Sequence, residues 1–568
     1  MFDSLPKTGL GALDWQWAQY EPYVQDLLAR SLSAAAVNQW MQDWTKLYDL
    51  INDVYNRLAV QHTLDTTDEV AEKRYMAFLE NIYPPATMAE QKLKEKLLAS
   101  GLEPQGCALP LKKMRVAAEI FREANVALEV EENKLVVEFD KIIGAQTVLW
   151  NGEEMTVEQL LPFFEDPDRS VREKAWRLRM ERKLQDRQTL NALWAKFLQL
   201  RIQMAKNAGE PDYRALRWKQ FKRFDYTPQD CETFHAAIEA AVVPAVQRLN
   251  AKRRQQTGLA ALRPWDFGFD VHGRAPLRPF EDVTDLDARC EVIFNQVDAA
   301  LGKHFAHMRQ HKLLDLPNRK SKAPGGYCTS YPAERVPFIF MNAVGIHDDV
   351  QTLLHEAGHA FHVYETNHLP YYQQTDYTME MAEVASMAME LLAAPYLTQD
   401  KGGFYTPQDA ARARLDHLEN MLVFWPYMAV VDAFQHWVYT HPQDALDTAN
   451  CDAKWGELWS RFKPGVDWSG LEDIRVTGWQ RKLHIFQVPF YYVDYGLAQM
   501  GAAQVWGNAL HDQAGAVAAY RRALALGGTV GIPEFFQAAG ARFAFDTATM
   551  QQVVDLIETQ MDKLEQIH

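Results

Sequence analysis

The sequence H-E-A-G-H at residues 355–359 constrains this chain more than any other feature. Apolar residues recur around it at three- and four-residue spacing, which predicts a helix, and Asp348 or Asp349 can cap the start of that helix. Residues four apart on a helix lie on one face, with Cβ atoms about 5–6 Å apart. The imidazoles of His355 and His359 can therefore reach one zinc ion.

Glu356 lies about 100° round the predicted helix from His355. We therefore expect its carboxylate to reach a water on the open side of the metal, where a general base acts in metal-assisted hydrolysis. The motif also arises by chance, because the chain has 17 histidines. The alternative interpretation is a pair of histidines on a buried helix face that bond to neighbouring carbonyls.

A catalytic zinc ion needs a third protein ligand and an open position. In the next predicted helix, Glu380, Glu383 and Glu390 share one face among apolar and small residues. Glu383 lies in the middle of this stripe, and its small neighbours let the helix approach the metal, so we predict it as the third ligand. Glu380 and Glu390 are then expected to orient the zinc-bound imidazoles. The alternative is a solvated acidic face.

An aromatic segment far downstream, H-I-F-Q-V-P-F-Y-Y-V-D-Y, carries His484, Tyr491, Tyr492 and Tyr495 within twelve residues. Peptide hydrolysis passes through an oxyanion, and phenol or imidazole donors aimed at that oxyanion lower the barrier. These side chains are therefore candidate catalytic donors. The alternative is an ordinary packing segment, since tyrosine is often a partly buried core residue.

Most of the remaining sequence has the apolar periodicity of helices. The clearest runs are Val37 to Val60, Thr67 to Ile82, Met114 to Ala127 and Val171 to Asn207. By contrast, β-branched residues from Lys134 to Asn151 predict a hairpin, and Val336 to Asn342 predicts a strand before the motif helix. The charged cluster from Phe164 to Lys183 predicts a division into an N-terminal helical lobe, residues 1–165, and a catalytic region, residues 166–568.

Composition excludes several classes of partner. The 568 residues carry a formal net charge of −16, which repels phosphate backbones, so we expect no nucleic-acid partner.

Five widely spaced cysteines without a C-x-x-C pair indicate reduced thiols. The sequence predicts neither a secretory signal nor a membrane span, and it favours a cytoplasmic protein. No heptad or evident surface patch predicts an oligomeric state.

The motifs together resemble the thimet oligopeptidase and oligoendopeptidase F family of zinc metallopeptidases, most closely its bacterial oligoendopeptidase F branch. The resemblance rests on H-E-A-G-H-A-F-H, A-E-V-A-S-M and H-I-F-Q-V-P-F-Y-Y-V-D-Y-G-L-A-Q, in this order. It implies a mainly α, zincin-type metallopeptidase fold. Two helical lobes would surround a deep substrate channel, with a small β-sheet beside the active-site helix.

The same resemblance implies which residues act. It implies one zinc ion per chain with the ligands His355, His359 and Glu383. It implies contacts to substrate or oxyanion from His484, Tyr492 and Tyr495, with Tyr491 as the alternative to Tyr492. Glu356 would be the general base, and the strand from Phe338 to Asn342 would be a cleft edge along which the substrate backbone pairs.

The expected function is hydrolysis of internal bonds in short oligopeptides by a zinc-dependent endopeptidase. Two rivals stay open. A zinc carboxypeptidase or dipeptidase of similar channel architecture would need a basic residue for the terminal carboxylate of its substrate. A non-catalytic, zinc-stabilised peptide-binding protein would have no use for Glu356, and structural zinc sites prefer four protein ligands.

Overall fold

Helices form most of the computed structural model, which describes residues 1–567. His568, the last residue of the predicted catalytic region, lies outside the described residues. The first five helices pack around a hydrophobic core of their own, which includes Trp40 and Trp44. They are α1 (Trp17–Ala29), α2 (Val37–Leu64), α3 (Glu69–Asn81), α4 (Tyr83–Ser100) and α5 (Ala108–Ile120).

The predicted helical runs are confirmed, with two interruptions. The next three helices are α6 (Glu123–Gly144), α7 (Arg169–Gln185) and α8 (Arg187–Ala208). The run from Met114 to Ala127 is interrupted between α5 and α6. The run from Val171 to Asn207 is divided at Asp186 between α7 and α8. The two runs nearest the N-terminus correspond to α2 and α3.

The hairpin predicted for Lys134 to Asn151 is wrong over its first half. The β-branched residues there belong to α6, in which Val137 and Phe139 are buried. Packing of the apolar side of a helix outweighs the preference of β-branched residues for strands. An antiparallel hairpin does follow, formed by β1 (Thr147–Trp150) and β2 (Glu153–Thr156).

A three-stranded sheet lies beside the motif helix. Its strands are β3 (Leu314–Pro317), β4 (Tyr327–Tyr331) and β5 (Val336–Ala343), in the order β3-β5-β4. β5 confirms the predicted strand, with β3 parallel on one side and β4 antiparallel on the other. The expectation that Phe338 to Asn342 forms a cleft edge is therefore wrong, because β5 is the central strand and β4 is an edge.

The three motifs converge because their helices pack together. The next seven helices are α9 (Tyr213–Gln220), α10 (Pro228–Ala237), α11 (Val243–Thr257), α12 (Val283–Val297), α13 (Ala299–Gln310), α14 (His347–Glu365) and α15 (Met379–Ala393). The rest are α16 (Pro407–Thr440), α17 (Thr448–Phe462), α18 (Glu472–Val476), α19 (Leu483–Gln487), α20 (Tyr492–Ala509), α21 (Gln513–Ala525), α22 (Ile532–Ala538) and α23 (Thr547–Leu564). α15 packs against both α14 and α20. This contact brings the glutamate stripe between the histidines and the aromatic segment.

The larger hydrophobic core contains α14 and α15 and includes Leu353, Leu354 and Trp425. The division of the chain near residue 165 stays a prediction. All five cysteines are free thiols, as expected. Within residues 1–567, no helix is long and apolar enough to cross a lipid bilayer.

Candidate metal centre

One carboxylate caps the start of α14. Asp349 accepts hydrogen bonds from the backbone N–H groups of Val344, Gly345 and Ile346 at 2.7–2.9 Å. Backbone N–H groups at a helix start lack partners within the helix, so this carboxylate stabilises the first turn. Of the two predicted capping residues, Asp348 and Asp349, the structure therefore selects Asp349.

His355, His359 and Glu383 converge on one point. The Nε2 atom of His355 lies 3.3 Å from Glu383 Oε2, and that of His359 lies 3.6 Å from the same oxygen. The candidate ligand atoms of the three residues lie within 4.8 Å of one another, so together they can hold a metal ion. Two imidazoles and one carboxylate, with a further position open, match the donor set of a catalytic zinc site.

A glycine lets α15 come this close to α14. A Cβ atom on Gly358 would lie 2.5 Å from Ala385 O and from Ser386 Cα. Glu383 is fully buried at the contact. Burial opposes ionisation, but the imidazoles of His359 and His355 outweigh it and hold the pKa of Glu383 down to about 2. The carboxylate is therefore charged at neutral pH, as a metal ligand must be.

Glu390 orients one of the two imidazoles. Its Oε1 atom lies 2.7 Å from His355 Nδ1, and Nε2 of the same ring faces Glu383; with Nδ1–H donating to Glu390, Nε2 would offer its lone pair to a metal ion. This contact confirms the expectation for Glu390. His417 on α16 lies 3.6 Å from the other oxygen of Glu390. Nothing in the sequence near the motifs pointed to His417.

Glu380 does not orient an imidazole, contrary to expectation. It accepts a hydrogen bond of 2.5 Å from the Tyr226 hydroxyl, and Arg223 lies 3.5 Å away. Burial lowers the pKa of His359 to about 4, and the backbone carbonyl of Ala382 is among the groups that act against this fall. Arg223 and Tyr226 lie more than 150 positions before Glu380 in the chain, so a pattern read along one helix face could not find them.

Glu356 is buried beside the metal-binding group. It is 5% exposed, and its Oε2 atom has no hydrogen-bond partner among residues 1–567. Burial raises the pKa of Glu356 to about 7, although the nearby imidazole of His355 and the backbone N–H of Cys328 on β4 act against this rise. A carboxylate in this state can accept and return a proton near neutral pH.

The aromatic segment lies against the same point. The Tyr491 hydroxyl donates a hydrogen bond to Glu383 Oε1. The Tyr495 hydroxyl lies 3.3 Å from His484 Nε2, and the rings of Tyr491 and Tyr495 are 5.0 Å apart. Tyr492 is buried, with its ring 5.0 Å from that of His484. The structure thus gathers all four predicted side chains, and Tyr491 is the one in contact with the predicted ligand.

Burial also fixes the protonation of these donors. It raises the pKa of Tyr491 and of Tyr495 well above the usual value, and it lowers the pKa of His484 well below the usual value. At neutral pH both phenols therefore carry their protons and the imidazole is neutral. Protonated phenols are hydrogen-bond donors, which suits them to an oxyanion.

A cavity of about 1130 Å³ opens beside this group. Glu390 and His417 line it, and Glu390 contacts His355 directly. Phe424 also lines it, and the Phe424 ring packs 5.5 Å from that of Tyr492. Sites for small ligands occupy about 300–1,000 Å³. The cavity is therefore large enough for several residues of an extended peptide.

Fold and site together define a class of protein. A mainly helical scaffold carries H-E-x-x-H on one helix and a distant glutamate on the next, with a small sheet beside the first. This arrangement is that of a zincin-type metallopeptidase.

The chain belongs to peptidase family M3. The family model matches residues 163–554, and the model described as the peptidase M3 N-terminal domain matches residues 14–106. In three dimensions the chain is similar to PZ peptidase A, solved with an inhibitor, at a TM-score of 0.91 and 28% identity over 99% of both chains. These matches confirm the resemblance that the motifs indicated.

Curated relatives of known name match over shorter stretches. Group B oligopeptidase PepB of Streptococcus agalactiae serotype III (strain NEM316) is 23% identical over 58% of this chain and 50% of its own length. Oligopeptidase PepF of Bacillus subtilis (strain 168) is 26% identical over 38% of this chain and 31% of its own length. The chain thus spans half or less of the length of these two relatives.

Proposed function

We propose that this chain is a zinc-dependent endopeptidase that hydrolyses internal bonds of short oligopeptides. The observation that carries the proposal is the convergence of two imidazole Nε2 atoms on one oxygen of Glu383, with the buried carboxylate of Glu356 beside them. Membership of peptidase family M3 and the oligopeptidases among its relatives support the same activity.

The residues present fit a zinc ion. Ligand atoms of His355, His359 and Glu383 would hold it, and the Glu390 carboxylate fixes the ring of one ligand. Zinc bound there would act as a Lewis acid and would lower the pKa of water. We propose that Glu356 accepts a proton from the water that attacks the scissile carbonyl, and that it then passes this proton to the leaving amine.

The aromatic donors would stabilise the oxyanion of that carbonyl. Tyr495 and His484 form one hydrogen-bonded pair, and Tyr491 holds Glu383. We assign the oxyanion contact to Tyr495 with His484. Tyr491 would fix the orientation of the metal ligand. Tyr492 has its ring against His484 and would act by packing.

β4 is the strand along which a substrate backbone would pair. The residues from Tyr327 to Tyr331 pair with β5, and in an antiparallel pair every second residue directs its backbone groups to the open side. Ser330 is one of these, because its carbonyl accepts a hydrogen bond from Asn56 of α2. The backbone N–H of Cys328 is one of the groups that lower the pKa of Glu356, and a Cβ atom on Gly326, directly before β4, would lie 3.5 Å from Glu356 Oε1, so this edge runs past the proposed base. Addition of an extended peptide to such an edge is a common mode of peptide recognition.

The test is cleavage of an internally quenched peptide of about ten residues, blocked at both ends, with and without a chelator. We expect cleavage at an internal bond, its loss on chelation and its return with added zinc. Blocked ends exclude a carboxypeptidase or dipeptidase as the source of the signal. If protein shown to contain one zinc ion leaves the peptide intact, the endopeptidase proposal is wrong, and a peptide with a free C-terminus then tests the carboxypeptidase alternative.

A further inference from the structure

Two consecutive cations near the aromatic segment have no acidic partner. Lys482 and Arg481 form no ion pair with a carboxylate anywhere in residues 1–567, although the chain has 75 acidic residues against 59 lysines and arginines. Arg481 donates to the backbone carbonyl of Ile474 at 2.7 Å and lies 3.3 Å from the hydroxyl of Thr477. The ammonium group of Lys482 makes no hydrogen bond within the described chain.

Aromatic rings hold Lys482 in place. Its Nζ atom lies 3.9 Å from the centre of the Tyr492 ring and 5.7 Å from that of Tyr427. Cations over aromatic faces are attracted by the ring quadrupole, more strongly where water is scarce. The side chain is half-buried, so the ammonium group is partly withdrawn from water yet still reachable.

This cation lies one ring away from the proposed catalytic donors. The Tyr492 ring beneath Lys482 is 5.0 Å from the His484 ring and 5.4 Å from the Tyr495 ring. The Phe424 ring packs on the same tyrosine and lines the large cavity. Lys482 therefore lies at the aromatic wall that adjoins both the candidate metal centre and the cavity.

We infer that Lys482 forms a subsite for a carboxylate of the peptide substrate, with Arg481 beside it adding positive charge. The carboxylate is either the C-terminus of the peptide or the side chain of an aspartate or glutamate. The inference rests on the proposed function, because it assumes a peptide at the metal centre.

Electrostatics favours an anionic ligand at this position. A cation withdrawn from water without a partner is destabilising, and a carboxylate in contact removes that cost. Burial lowers the pKa of Lys482 to about 7, and a bound carboxylate would favour its charged form. The rest of the chain is strongly acidic and would repel a peptide carboxylate. A local cation near the proposed donors would counter that repulsion and fix the position of one peptide carboxylate.

The test compares pairs of N-acetylated peptides that differ only in a carboxylate. One pair has a free or an amidated C-terminus, and a second, amidated pair has glutamate or glutamine at one position on either side of the cut. The kcat/KM of each peptide is measured with the zinc-loaded wild type and with Lys482→Met, Lys482→Gln and Lys482→Arg. The control is Lys303→Met, since Lys303 is an exposed lysine on α13.

For one pair we expect the wild type to prefer the carboxylate form by about tenfold, the gain typical of one charge-assisted contact. Lys482→Met and Lys482→Gln should bring this ratio close to one, while Lys482→Arg and Lys303→Met should keep it. The pair that responds identifies the source of the carboxylate. Equal losses on both members of each pair in Lys482→Met would mean a structural role and would overturn the inference.

A binding measurement separates this inference from the proposed function. Failure of the zinc-loaded wild type to cleave any of the peptides would count against the proposed function alone. Fluorescence anisotropy with the same peptides, labelled and added to zinc-loaded wild type and Lys482→Met, then decides the subsite. The subsite is supported if the wild type binds a carboxylate peptide more tightly than its neutral partner and Lys482→Met loses this preference. The subsite is overturned if the wild type binds both members of each pair with equal affinity.

Discussion

Glu356 is the residue whose chemistry the proposed function needs most. It is almost fully buried, its Oε2 atom lacks a partner within residues 1–567, and it contributes no ligand atom to the metal-binding group. Glu356→Gln keeps the shape of the side chain and removes its ability to accept a proton. We expect kcat to fall at least about 1,000-fold with zinc still bound, because general-base catalysis contributes on this scale.

Zinc content by mass spectrometry and the melting temperature of Glu356→Gln are the controls for this prediction. Both should match the wild type, since Glu356 is neither a ligand nor part of an ion pair. Full turnover in a variant that still holds one zinc ion would show that another group is the base.

Glu380 and Glu390 lie on the same helix but differ in their partners. Glu390 bonds to the His355 ring, whereas Glu380 bonds to Tyr226 and lies near Arg223. We expect Glu390→Gln to weaken zinc affinity about 10–100-fold, as loss of a partner behind a ligand does. Glu380→Gln should leave zinc affinity unchanged and lower the free energy of unfolding by about 1–3 kcal/mol.

Two measurements separate these effects. Competition with a chromophoric chelator gives the zinc affinity of each variant, and urea unfolding gives its free energy of unfolding. Each variant serves as the control for the other, because both replace one buried or half-buried carboxylate on α15 by an amide. Equal loss of zinc affinity in both variants would contradict the separate roles assigned to them.

The contact between α14 and α15 depends on a glycine. A Cβ atom on Gly358 would meet the backbone of Ala385 and Ser386 at 2.5 Å, and backbone atoms cannot move aside as a side chain can. Gly358→Ala should therefore push the helices apart, lower the free energy of unfolding by about 2–4 kcal/mol and weaken zinc binding. Chemical unfolding and zinc titration measure the two effects.

Gly144 provides the matched control for this substitution. It is also a helical glycine, on α6, but a Cβ atom there would meet nothing closer than 3.6 Å. Gly144→Ala should be neutral or slightly stabilising, because alanine favours helices over glycine. Similar stability for the two variants would mean that the helices tolerate a larger separation than this geometry implies.

A buried carboxylate on α6 makes stability depend on pH. Asp140 accepts a hydrogen bond from Gln487 of α19 at 2.7 Å, and burial raises the pKa of Asp140 to about 7 although that bond opposes the rise. In the unfolded chain the group loses its proton near its ordinary pKa of 3.8. Between these two values the folded protein binds more protons than the unfolded chain, so this residue makes stability fall as pH rises.

Asp140→Asn removes this titration and keeps a hydrogen-bond acceptor for Gln487. We expect the variant and the wild type to be closest in stability near pH 4. The variant should gain up to about 4 kcal/mol relative to the wild type by pH 7.5, because the pKa rises from 3.8 to about 7 on folding and each pKa unit is about 1.4 kcal/mol, with little further gain above that pH. Urea unfolding at three pH values checks the trend. A constant difference across the range would show that Asp140 is already ionised in the folded protein at low pH.

The sequence predicts elements best where the signal is local. The two imidazoles are defined by spacing on α14 and the Glu383 stripe by spacing on α15, and the structure brings the two helix faces together. The β-branched residues around Val137 predict a hairpin, yet burial of Val137 and Phe139 in the core makes that segment a helix. The pairing of Glu380 with Tyr226 depends on a contact between distant segments, which no local pattern encodes.

At the scale of the molecule, the two hydrophobic cores meet next to the edge strand. From the N-terminal helices, Asn56 of α2 donates to the Ser330 carbonyl on β4 at 2.8 Å, and Arg57 of α2 pairs with Glu334. The imidazoles of the candidate metal centre are no more than one fifth exposed. α2 thus covers part of the edge along which a substrate would extend.

Because the candidate metal centre is enclosed, we expect it to act on unfolded peptides in preference to folded proteins. A peptide must reach half-buried imidazoles between packed helices, and a folded domain is too wide to follow it. We therefore expect the free form of a decapeptide to be cleaved at least about 100-fold faster than the same ten residues inserted as a tight loop of a stable folded protein. Cleavage of the loop would require local unfolding of the host at a cost of about 3 kcal/mol or more.

The measurement compares kcat/KM for the peptide, for the folded fusion and for the same fusion carrying a core substitution that unfolds the host. The unfolded fusion is the control, because it keeps the sequence and the length of the chain and removes only the fold. Its cleavage should approach the rate of the free peptide if chain access is the barrier. Equal rates for the folded and unfolded fusions would mean that the cleft opens wide enough for folded proteins, and that the contact between α2 and β4 is easily broken.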